Sequence, residues 1–190
     1  RTLPGSSGRV FEPTDIEVGP DGALYVLSWG HAYGATMKGD KQINGALNGV
    51  LKNLLTGINQ YFLHSRMAEN WGHDHLKKKD YDYSIYLMKA SDKVIKRILF
   101  LEGLANLQDL GKLYIGEDVE QILSGNLKFD MELRTSLVDT IALCESSQDY
   151  ISRECLEHIL HECEEQIDWL EAQQHLISKM GLENYLQSVS

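Results

Sequence analysis

Proline is missing from most of this chain. All three prolines, Pro4, Pro13 and Pro20, precede Met37, and none follows as far as Ser190. Proline breaks helix interiors, so a proline-free stretch of this length points to long helices. Cysteine is scarce too: Cys144, Cys155 and Cys163 are an odd number and include no Cys-x-x-Cys pair. That excludes a disulfide framework and a cysteine-based zinc site, and it fits a reducing compartment such as the cytoplasm. No run of about 18 apolar residues occurs, so no membrane-spanning helix is expected. The opening residues, Arg1 to Gly8, carry no apolar stretch of the signal-peptide kind. Basic residues are outnumbered, 18 Lys+Arg against 28 Asp+Glu, for a formal charge of −10. Nucleic acid and anionic membranes repel such a chain, whereas cations do not.

A length of 190 residues, 43% of them hydrophobic, is enough for one domain with a sizeable core and an appendage. The appendage is the proline-bearing part, residues 1–36. There Thr14-Asp15-Ile16-Glu17-Val18 alternates, Gly19-Pro20-Asp21-Gly22 is turn chemistry, and Ala23-Leu24-Tyr25-Val26-Leu27 is rich in strand formers. This predicts a β-hairpin. One hairpin is marginal alone, so it is expected to dock on a neighbour or stay mobile. The stretch from Phe11 to Gly34 resembles a blade edge of a sugar-dehydrogenase β-propeller; one hairpin is not a propeller, and no function follows from it.

Residues 37–190 read as four long helices. The first is predicted over about Lys41 to Glu69, with Leu47, Val50, Leu51, Leu54, Leu55, Ile58 and Phe62 at three- and four-residue steps and Asn70-Trp71-Gly72 as the stop. The second spans Lys79 to Leu104, the third Asp118 to Ser146 and the fourth Gln148 to Met180. Gly181 marks a helix end, and Leu182 to Val189 could form a short fifth helix. Three short joints and one long connection, Ala105 to Gly116, are the wiring of an all-α, ferritin-like four-helix bundle.

Several motifs then become specific. Met37-Lys38-Gly39-Asp40, Ile58-Asn59-Gln60-Tyr61-Phe62-Leu63-His64, Arg97-Ile98-Leu99-Phe100-Leu101-Glu102-Gly103-Leu104, Asn106-Leu107-Gln108-Asp109-Leu110-Gly111-Lys112-Leu113, Ile115-Gly116-Glu117-Asp118-Val119, Ile167-Asp168-Trp169-Leu170-Glu171 and Lys179-Met180-Gly181-Leu182-Glu183-Asn184-Tyr185-Leu186 resemble bacterioferritin. The resemblance runs without a gap over residues 37–190. It implies a hollow shell of about twenty-four subunits that oxidises ferrous iron, stores it as a ferric mineral and binds haem b between pairs of subunits.

The resemblance also implies where a di-iron oxidising centre would stand, and the donors there are poor. Such a centre takes one Glu from each of two helices and a Glu-x-x-His from each of the other two. No Glu-x-x-His occurs after Met37. The matching positions are Leu54, Leu87, Ala90, Asp130, Cys163 and Gln166, with Tyr61 nearby. Three have no donor atom, and iron in these states favours carboxylate and imidazole. The face is expected to be plain core with no di-iron centre; a residual metal site on Asp130, Cys163 and Gln166, or a misregister, are the alternatives.

The haem ligand is present. Met88 matches the methionine that ligates haem iron in the family, one sulfur from each of two subunits across a two-fold axis. Leu55, Ile58, Asn59, Phe62 and Tyr81 match haem-lining positions. A helical step of about 100° lets Leu87 face the bundle while Met88 faces a partner. By periodicity alone a helical methionine is a packing residue. Leu104 and Glu117 match positions where the family docks a small ferredoxin that delivers electrons; read plainly, they are a surface leucine and a helix-start acid. His73-Asp74-His75 reads as a solvated joint, with a metal site as the alternative, and His158, His161 and Glu162 as a solvated face, with an iron-entry or surface site as the alternative.

The functional expectation is a haem-binding iron-storage subunit, inactive alone as a ferroxidase, through which electrons reach the ferric mineral. A homologous ferroxidase-competent bacterioferritin subunit would share its shell. The alternative is a homomeric haem-carrying scaffold or cargo-docking shell protein.

Overall fold

The structure, a computed structural model, describes residues 15–18, 24–27 and 40–190. The chain divides into two units, residues 1–38 and 39–190. In the first, β1 (Asp15–Val18) pairs antiparallel with β2 (Leu24–Leu27), Asp15 opposite Leu27 and Val18 opposite Leu24. This is the hairpin the alternation predicts. Its turn, residues 19–22, lies outside the described residues, as do residues 37–39 of the first motif.

The second unit holds α1 (Lys41–Trp71), α2 (Asp74–Phe100), α3 (Val119–Ser146), α4 (Tyr150–Met180) and α5 (Leu182–Val189). The bundle is all-α and ferritin-like: α1 packs on α2 and α3, α4 on α3 and α2, and α5 closes one end against α4 and α2. No helix among the described residues is long and apolar enough to cross a membrane.

Local chemistry explains the helix limits and corrects several expected ones. Asp40 caps α1 by accepting from the Gln42 amide at 2.8 Å. The helix runs on through Trp71 because left-handed Gly72 (φ 82°) ends it, returning its own and the next amide to the Glu69 and Ala68 carbonyls. Only a two-residue joint follows. The second helix therefore starts at Asp74, not Lys79, with Leu76 buried in the end cluster. His73-Asp74-His75 is accordingly not a free joint: His73 stands at the cap position and Asp74 and His75 open α2, where an acid favours the helix dipole. That helix ends at Phe100 rather than Leu104, and Glu102 (φ 57°) turns the chain left-handed. Asp118 caps α3 through the Gln121 amide at 2.8 Å. Asp149, not Gln148, caps α4, accepting from the Ser152 amide at 3.1 Å and from Arg97 Nη2 of α2 at 2.6 Å. Half-buried ends are thus tied together by one carboxylate.

One core cluster joins all four long helices, with Ile43, Leu47 and Leu54 from α1, Leu87 and Ile98 from α2, Phe129 from α3, and Ile159 and Ile167 from α4. A smaller cluster joins Ala68, Leu76, Leu123, Leu170 and Tyr185 under α5.

The crossover, residues 101–118, is held by a ladder on α1. Asn44 Nδ2 donates to the Leu101 carbonyl (3.4 Å), and Asn48 donates to the Leu104 carbonyl and accepts from the Asn106 amide (3.1 and 2.8 Å). Lys52 pairs with Asp109 at 3.0 Å. Thr56 Oγ1 accepts from the Gly111 amide (2.7 Å), Gln60 Oε1 from the Tyr114 amide (2.9 Å) and His64 Nε2 from the Gly116 amide (3.4 Å). These six residues recur every fourth position, one helical row. A long coil-like connection has few backbone partners of its own, and this row supplies them.

Candidate functional site

At mid-bundle the six expected positions converge in the core. Leu54 and Leu87 are fully buried, Ala90 nearly so, and they present only carbon. Gly57 beside them has no room for a side chain, since a Cβ would lie 2.7 Å from the Phe129 ring and 2.8 Å from Leu87. Asp130 is fully buried, and its carboxylate accepts from two phenols: Tyr61 at Oδ2, and Tyr83 at Oδ1 at 3.3 Å. Burial pushes its pKa up to about 8, with the two phenol bonds pulling it partway back. The Cys163 thiol donates to the Asp130 carbonyl at 3.4 Å, and burial pushes its pKa strongly up. Gln166 is 1% exposed, and neither its amide oxygen nor its nitrogen has a protein partner. Among the described residues no three His, Cys, Asp or Glu stand together as a metal-holding group.

A second buried polar group lies nearer the crossover. Asn126 Oδ1 accepts from Gln60 Nε2 (3.0 Å) and from His64 Nδ1 (2.8 Å), while Asn126 Nδ2 donates to Asp80 Oδ1 (3.4 Å). Because His64 Nε2 accepts the Gly116 amide, its proton sits on Nδ1 and the ring is neutral, and burial lowers its pKa accordingly. Burial, with Asp130 nearby, holds the Asp80 carboxyl well above its usual range. Sequence reading missed Tyr83, Asn126 and Asp80 here. The four-residue row Asn44, Asn48, Lys52, Thr56, Gln60, His64 was a visible signal for the crossover contacts.

The outer face of α1 and α2 has the opposite character. Met88 is 49% exposed, one residue from fully buried Leu87. Phe62 and Tyr81 are also exposed, with ring centroids 6.4 Å apart, and the Arg66 guanidinium lies over both at 5.1 and 5.2 Å. Leu55 and Ile58 are half-buried against the core, and Asn59 is exposed, its amide donating to the Leu55 carbonyl. The helices therefore bring Met88, Leu55, Ile58, Asn59, Phe62 and Tyr81 to one pair of elements, with the thioether open to the outside.

Leu104 is 85% exposed on the crossover and Glu117 is exposed just before α3. On α4, His158 and Glu162 are exposed and His161 Nε2 stands 3.3 Å from Glu165.

A bundle with this crossover and this mid-bundle cluster is ferritin-like, and residues 44–180 match the ferritin-like domain family. The bacterioferritin of Brucella melitensis is 38% identical over 151 residues, 80% of this chain and 94% of that protein. The bacterioferritin of Mycobacterium leprae is 38% identical over 78% of this chain and 94% of its own length. The bacterial ferritin of Pseudomonas aeruginosa is 38% identical over 80% and 99%. The chain belongs to the bacterioferritin family.

Proposed function

We propose that this chain is an iron-storage shell subunit that holds haem at a two-fold subunit interface and has no di-iron oxidising site of its own. Ferritin-family membership supports the storage role and assembly into a multi-subunit shell. The donor set supports the haem reading. A flat apolar macrocycle needs carbon surface and a soft axial ligand, and the outer face offers Met88 sulfur among Leu55, Ile58, Phe62 and Tyr81. These residues fit the group. Met88 would ligate it, the apolar side chains would exclude water from it, and Arg66 is placed to meet an acidic substituent. Bound there, haem supplies one-electron transfer between the stored ferric mineral and a donor outside the shell. Leu104 and Glu117 are the residues we assign to docking that donor, a small ferredoxin-type protein.

The bundle centre does not fit paired iron. Three of its six positions are hydrocarbon, the one carboxylate is occupied by two phenols, and the thiol is protonated. Four unmetalled carboxylates would repel in this interior, so donors and metal are best lost together. This is the single observation that carries the reading: a storage-shell subunit whose oxidising centre is packed with leucine. Ferrous oxidation would then come from a homologous, ferroxidase-competent subunit in the same shell.

The test is to purify the full chain alone and follow oxidation of ferrous iron by oxygen. A rate no faster than buffer is expected, and a rate well above it overturns the reading. Native mass spectrometry of shells isolated from the source cells is expected to show a second subunit type. Shells of one subunit type would favour a homomeric haem-carrying scaffold.

A further inference from the structure

Two cations share one aromatic ring where the crossover nears α3. Lys112 Nζ lies 5.6 Å from the centre of the Tyr114 ring, and Lys128 Nζ of α3 lies 4.4 Å from it. A ring attracts each cation modestly, and two ammonium groups at the same ring repel one another. Among the described residues neither ammonium has a carboxylate within ion-pair distance. Lys128 stands four positions before Glu132, the spacing of a helical ion pair, yet Glu132 instead accepts from the Tyr114 hydroxyl at 2.7 Å. The tyrosine is held at three points. Gln60 Oε1 takes its amide at 2.9 Å, Glu132 takes its hydroxyl, and Gly125 lets its carbonyl sit directly on α3, since a Cβ there would lie 2.6 Å from that oxygen. Lys112 and Lys128 both line one cleft of about 660 Å³ between the crossover and α3. Glu120, Ser124 and Lys128 follow at four-residue steps along α3 and line it together, with Gln121 beside them. The cleft thus gathers two unpaired cations, a hydroxyl, an amide and one carboxylate.

We infer that this cleft binds a free hydrogen phosphate ion, bridged between Lys112 and Lys128 above the Tyr114 ring. The anion relieves the repulsion between the two ammonium groups and takes a charge-assisted hydrogen bond from each. The Ser124 hydroxyl and the Gln121 amide supply neutral donors to its remaining oxygens. Glu120 decides which oxyanion is taken. Its carboxylate accepts from an anion that still carries a proton, and it repels one, such as sulfate, that has none to give. The site asks nothing of haem at Met88 or of iron in the bundle, so it stands or falls separately from the proposed function.

The probe is inorganic phosphate, added to the iron-free full chain at neutral pH and constant ionic strength, with sulfate as the comparison. A brief pulse of lysine acetylation followed by mass spectrometry reads each ammonium group separately. Phosphate is expected to slow acetylation of Lys112 and Lys128 several-fold, with the same half-effect concentration for both. Exposed Lys89 and Lys93 should react as before. Sulfate should protect the pair several-fold less. Lys112→Gln should abolish the protection of Lys128, because the second ammonium group is then alone with Glu120. Lys112 is exposed and outside the core, so this variant keeps the bundle intact. Equal slowing of every lysine overturns the site, as does protection of Lys128 that survives in Lys112→Gln. Sulfate protecting as well as phosphate overturns it too, since the cleft then answers to charge alone.

Discussion

Leu87 and Met88 are chain neighbours and live in different solvents. Leu87 is sealed between Gly57 and the core, whereas Met88 stands half open on the outer face with Phe62 and Tyr81. The interior punishes any donor that lacks a partner: Leu54, Leu87 and Ala90 present only carbon there, and the one carboxyl, Asp130, is neutralised by burial and held by two phenols. The outer face lies under a different rule. Apolar side chains there cost little while exposed and become useful when a ligand or partner covers them. The two regions show that one helix can present two unlike surfaces, because adjacent residues answer to separate environments.

The sharpest way to test the interior side of that contrast is pH. The folded pKa of Asp130 is raised to about 8, above the ordinary carboxylate range. The folded chain therefore holds a proton that the unfolded chain releases between about pH 4 and pH 8. Stability should fall as pH rises through that window, by up to about 1.4 kcal/mol per unit, and level off above it. Asp130→Asn should flatten this slope in urea unfolding followed from pH 5 to pH 9; an unchanged slope would move the proton to Asp80. Next in size is the neighbouring pair itself. Leu87→Ala should cost about 2–5 kcal/mol, while Met88→Ala should stay within about 0.5 kcal/mol, both by denaturant midpoint. Equal costs would erase the distinction between the two faces. Met88→Leu should also abolish the haem absorbance band of reconstituted protein while leaving stability alone, and a retained band would assign the ligand elsewhere. Gly57→Ala should destabilise by about 1–3 kcal/mol, since its Cβ collides with Phe129 and Leu87. The smallest effect belongs to the crossover: Thr56→Val removes the acceptor for the Gly111 amide, costing about 1 kcal/mol. Faster hydrogen exchange at Gly111 would report it directly.

Much of this was legible in the residues because it depends on local rules. Gly72 and Gly181 marked helix ends by their turn chemistry, and the absence of proline allowed the long helices between them. The start of α2 was not legible. His73 makes no side-chain cap bond, and Lys77-Lys78-Lys79 has no apolar rhythm. What pulls that turn into the helix is Leu76 packing in the end cluster. The crossover ladder was partly visible as a four-residue row of polar side chains, but its partners lie up to 58 positions away. The Asp130 clamp was invisible for the same reason: Tyr61 and Tyr83 reach it across 69 and 47 positions.

By itself the order of residues determined the helices, the one long connection, and which of two adjacent α2 positions carries a donor atom, since these follow from backbone propensity, spacing and side-chain identity. Only the folded bundle decided that Asp130 would meet two phenols, that Gln166 would be buried without a protein partner, and that Tyr61 would meet Tyr83 edge to face. Those outcomes depend on which faces of four separate helices close on one another, and on the cost of removing polar groups from water that closure imposes.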